Sequence, residues 1–93
     1  VTIFTVVVAQ QPIPPDFTTA LTTKFADDYL WVAPNVCLVA GKGTAQDISN
    51  ALGISEGTTA SGIVSAMGSY YGRAPTNVWE WVKAKWEQTS VNE

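Results

Sequence analysis

The sequence predicts an α+β domain built on a four-stranded antiparallel sheet. Three observations carry this prediction. Segments rich in β-branched and aromatic residues alternate with segments whose apolar residues recur every three or four positions. Their order along the chain is β-α-β-β-α-β-α. Proline or glycine stands at most of the junctions, where it ends a strand or a helix. The 93 residues correspond to a single domain, 1–93.

The first element, "TIFTVVVA" at residues 2–9, is a β-branched run closed by "QQPIPPD". A strand apolar on both sides belongs in the middle of its sheet. Asp16 is expected to cap a first helix over 16–26, with Phe17, Leu21 and Phe25 at helical spacing. "YLWVA" and "NVCLVAG" are separated by Pro34, with Asn35 beside it, and read as a hairpin, Tyr29–Ala33 and Val36–Gly41. "TAQDISNALGI" reads as a second helix capped by Thr44, with Asp47 where a capping box places an acid. Ala45, Ile48 and Leu52 face inward, and Gly53 is the stop. "SGIVSAMGSYY", 61–71, is a glycine-diluted strand. "GRAP" breaks it, and Thr76 caps a last helix over 77–88. On that helix Val78, Trp79, Val82 and Trp86 share one side, Glu80 and Lys83 take the opposite side, and Trp81 falls off the apolar stripe.

Four antiparallel strands with two crossover helices form the ferredoxin-like split βαβ sandwich, β-α-β-β-α-β, here with an added C-terminal helix. Right-handed crossovers set the strand order at 4-1-3-2. That order puts strand 1 inside the sheet, in agreement with its two-sided apolarity.

Composition narrows the chemistry. Histidine is absent, which removes the usual nucleophile–base pairs and the usual zinc ligands. The single cysteine, Cys37, lies in an apolar run and reads as a small core hydrophobe. Asp27 and Asp28 are adjacent, and neighbours in sequence do not converge on one helix face. No cofactor and no metal site is expected. The formal charge of −3 disfavours nucleic acid, which rewards clustered cations. The opening apolar run lacks a basic segment and is too short to cross a bilayer, so a cytoplasmic protein without membrane contact is expected. Charged residues make up only 14%, about half the usual share, which points to surface covered by a partner or a second copy.

Two candidate surfaces follow. The predicted topology brings the C-terminal ends of strands 3 and 4 to one sheet edge. Lys42, Gly43 and Thr44 follow strand 3, while Tyr70, Tyr71 and Arg73 end strand 4. Helix-start amides with Lys and Arg nearby suit a small anionic or nucleotide-like ligand, and rings beside them suit a planar group. The segment "VAGKGTA" is not a phosphate-binding P-loop, because Lys42 is followed by Gly43 where the motif needs Ser or Thr. The second surface is aromatic and apolar. Trp81, Trp31, Ile3 and Val7 are the candidate interface residues, the last two on the sheet face that two crossover helices leave open.

"CLVAGKG", "TAQDISNALG" and "WEWVKAKW" together resemble the second half of the small CRISPR-associated adaptation nucleases and their toxin-like relatives. The resemblance covers about half the chain. It implies a ferredoxin-like fold and a dimer. That family holds its metal through an aspartate at the end of strand 1, where this chain has Ala9, Gln10 and Gln11.

Taken together, the residues favour binding over catalysis. The leading expectation is a small acidic interaction protein, a homodimer that binds a larger protein as an adaptor or inhibitor. The alternative is a binder of a small anionic ligand at the Lys42–Arg73 edge. A metal-dependent nuclease of the resembled family comes third.

Overall fold

The structure, a computed structural model, describes residues 2–69 and 71–91. The elements are β1 (Thr2–Val8), α1 (Pro15–Phe25), β2 (Tyr29–Ala33), β3 (Val36–Gly41), α2 (Ala45–Leu52), β4 (Gly62–Ala66) and α3 (Thr76–Val91). The sheet order is β2-β3-β1-β4, which is 4-1-3-2 read from the other edge. Every neighbouring pair is antiparallel. The architecture is therefore α+β, with a four-stranded antiparallel sheet and three helices.

β1 sits between β3 and β4 and feeds two cores. Phe4, Val6 and Val8 point to one face, where Phe17 and Leu21 of α1 and Ile48 and Leu52 of α2 close over them. Ile3 points to the other face and is buried with Leu38 of β3 and Val78 and Val82 of α3. The alternation of side chains along a strand explains why one run of apolar residues serves both layers. Burying each large side chain contributes roughly 1.5–3 kcal/mol. The two layers differ in completeness, since α1 and α2 cover their face while α3 alone crosses the other.

Several boundaries differ from expectation for local reasons. α1 starts one residue earlier, at Pro15, after Pro14, and Asp16 lies in its first turn without capping it. A proline has its φ set for a helix start and no N–H to satisfy there. The helix ends at Phe25, and Ala26 takes φ 38°. α3 includes Thr76; the Pro75 carbonyl accepts from the N–H groups of Val78 and Trp79. β4 stops at Ala66 rather than running to residue 71. It is an edge strand with one partner, and beyond the Met67 N–H donating to the Ile3 carbonyl little of β1 remains to pair. Gly62, at its start, passes so close to β1 that a Cβ would run into the Val7 carbonyl oxygen.

Candidate functional site

The two halves of the expected ligand edge take different places. Lys42, Gly43 and Thr44 lead into α2 on the first face of the sheet. Thr44 caps α2: its Oγ1 accepts from the Asp47 N–H at 3.2 Å, and its own N–H donates to Asp47 Oδ2 at 2.9 Å. Gly43 has φ 105°, and a Cβ there would collide with the Asp47 carboxylate. A fixed negative charge thus stands at the helix start, where an anion would bind. Lys42 is exposed.

Tyr71 and Arg73 lie on the second face. With Val32, Leu38, Met67, Ala74, Pro75, Val78, Trp79 and Val82 they line a groove of about 370 Å³ between the sheet and the first half of α3. Arg73 is the one charged residue lining it, and no ion pair of Arg73 is present among the described residues. Tyr70 lies outside the described residues. The structure therefore brings Tyr71 and Arg73 together with an apolar groove, and leaves Lys42, Gly43 and Thr44 with the core formed by α1 and α2.

Beside the groove, α3 leaves part of the second face open. Four residues stand there, one from each strand. Val7 lies directly opposite both Val36 and Ile63 in its two ladders, so the three share a face. Val32 of β2 lies at the groove. Val7 is 36% exposed, Val32 39% and Ile63 69%, and Val36 is half-buried. This makes an apolar row across the sheet, ending at the β4 edge.

The expected interface residues divide. Val7 is on the open row. Ile3 is fully buried, because α3 of the same chain covers it. Trp31 faces the first core and meets the Phe17 ring edge-on, with centroids 6.2 Å apart. Trp81 is half-buried against the second core, with Lys85 Nζ 5.9 Å from its ring centre. Sequence reasoning missed Val32 and Ile63. The alternation in "GIVSA" placed Ile63 opposite the core-facing Val64, a signal that glycine dilution obscured.

No group of three or more His, Cys, Asp or Glu among the described residues is placed to hold a metal. Cys37 is buried, and removal from water pushes its thiol from the usual 9.0 up to about 12. A thiol held protonated is a poor nucleophile. No helix in the described residues is long and apolar enough to cross a membrane. Fold and surface together define a small α+β domain with an open apolar row on one face of its sheet. No protein-family model matches the chain, and neither does a curated protein or a solved structure.

Proposed function

We propose that this protein is a non-enzymatic interaction module, homodimeric, that engages a larger protein through the open part of its sheet. The observation that carries the reading is the row Val32, Val36, Val7 and Ile63, which the chain's own helices leave open. The low share of charged residues, 14%, supports it. We read the fold as the ferredoxin-like split βαβ arrangement with α3 added; the strand order supports this. The resemblance to the adaptation nucleases is carried over as fold and self-association. At the end of β1, Gln10 Oε1 accepts from the Ser61 N–H at 2.6 Å, so the side chain there holds the chain together instead of offering a carboxylate.

Light scattering over a wide concentration range tests the reading. The wild type is expected to be a dimer, and Ile63→Asp, which puts a charge on the row, is expected to shift it towards monomer. A wild type that stays monomeric at high concentration overturns the homodimer.

A second reading is favoured by Arg73 at the groove. A cation beside an apolar groove suits a small amphiphile with an anionic head. Decanoate at 100 times its Kd would stabilise the fold by about 2.7 kcal/mol, and Arg73→Ala would remove most of that. The absence of a thermal shift with decanoate in the wild type would count against it.

A further inference from the structure

The β1–β4 ladder determines which main-chain groups of β4 face outward. The Met67 N–H donates to the Ile3 carbonyl and the Ala9 N–H to the Ser61 carbonyl, both at 2.8 Å. In the register Val7↔Ile63 and Thr5↔Ser65, hydrogen-bonded pairs alternate with non-bonded ones. Ile63 and Ser65 therefore bond to β1. The N–H and carbonyl groups of Gly62, Val64 and Ala66 point away from the sheet, and β4 is the end strand.

Edges of this kind are usually blunted by a charge, a proline or a bulge. The opposite edge, β2, has a register irregularity between Trp31 and Ala33, and Asp28 just before it pairs with Lys85. β4 has none of these devices. Its register with β1 is unbroken, and no charged residue or proline stands between Glu56 and Arg73.

We infer that two copies of this chain pair β4 with β4, antiparallel and centred on Val64, joining their sheets into one; the inference rests on the homodimer reading above. The segment is complementary to itself. About the two-fold axis, Val64 pairs with its own counterpart, and Gly62 of each copy pairs with Ala66 of the other. That arrangement makes about six main-chain hydrogen bonds. Ile63 of each copy stands opposite Ser65 of the other, with the second Ile63 on the diagonal, within about 7–8 Å. The two apolar rows then meet at the seam, offset by two residues along the strand. The absence of charge matters, because each copy carries a net −3 and the copies repel elsewhere. An uncharged edge is where they approach at least cost.

Three variants test this. Ala66→Pro removes an outward N–H at the exposed end of β4 and leaves the bonds to β1 in place; it is expected to weaken the dimer about tenfold or more. Gln46→Glu, at an exposed position on α2 away from the row and the edge, is expected to leave the dimer intact. The double variant Ile63→Cys/Ser65→Cys is expected to give a disulfide-linked dimer under mild oxidation, since such opposed pairs have Cα atoms about 4.5 Å apart, within disulfide range. Each single cysteine variant should link far less. Circular dichroism checks that every variant is folded. A dimer that Ala66→Pro leaves unchanged, that Gln46→Glu dissociates, or whose double-cysteine form does not cross-link overturns the β4 pairing while the homodimer stands. A monomer at every concentration overturns both.

Discussion

Lys85 Nζ lies 2.7 Å from Asp28 Oδ1, which ties α3 to the entrance of β2. The same ammonium lies 5.9 Å from the centre of the Trp81 ring. The lysine side chain is 18% exposed and the aspartate 51%, so water screens the pair. An ion pair at such a site contributes roughly 0.2–1 kcal/mol. Lys85→Met keeps the packed stem and loses the charge. It is expected to lower stability by about that amount in low salt and by less in high salt. Urea titration at two ionic strengths measures both values.

The capping box of α2 has a larger effect. Thr44 and Asp47 satisfy each other's N–H groups. Thr44→Ala is expected to destabilise the fold by about 1 kcal/mol. Asp47→Asn keeps the geometry and removes a negative charge from the helix start, so its cost should be a few tenths of a kcal/mol, up to ~1. Thermal unfolding of the two variants separates hydrogen bonding from electrostatics.

Cys37 makes stability depend on pH at the alkaline end. Burial pushes the folded thiol up to about 12, whereas the unfolded thiol ionises near 9.0. Below about pH 9 both states keep the proton and the contribution is whole. Between 9 and 12 the unfolded chain loses its proton while the folded one retains it, so stability falls as pH rises. The slope approaches ~1.4 kcal/mol per pH unit inside that window. Cys37→Ala should flatten this slope while costing some stability at neutral pH through the lost packing. Urea titrations at pH 8 and pH 11 would show it. A thiol reagent at pH 8 should label the native wild type only as fast as it opens.

Gly62 is required by contact rather than by conformation, since its φ lies outside the left-handed region. A Cβ at that position would meet the Val7 carbonyl oxygen. Gly62→Ala must push β4 off β1 where Val8 pairs with Gly62. The expected loss is about 1–3 kcal/mol, with faster amide exchange at Ala9 and Met67, whose N–H groups bond across the ladder.

The sequence was most legible where structure is decided over a few residues. The Pro34–Asn35 turn placed both hairpin strands at their observed bounds. Thr44, Asp47 and Gly53 marked the start and stop of α2. β1 announced its central position through apolar residues on both sides. The proline pair before α1 misled, because Asp16 has the chemistry of a cap while the helix already begins at Pro15. The candidate site was legible only in part. Tyr71 and Arg73 stand out by residue type, yet their neighbours are Leu38 and Trp79 rather than Lys42.

By itself, then, the sequence determined the elements, their order and the strand that lies inside. Side-chain periodicity, turn residues and caps act between near neighbours, and crossover handedness does the rest. Only the tertiary structure decided which apolar residues stay open. Ile3 and Val7 are chemically alike and lie on the same face of β1. α3 buries Ile3 and stops short of Val7. That difference depends on where α3 lies across the sheet. Its place is set by where Val78 and Val82 find Ile3 and Leu38, a contact between segments far apart in the chain that no local pattern records.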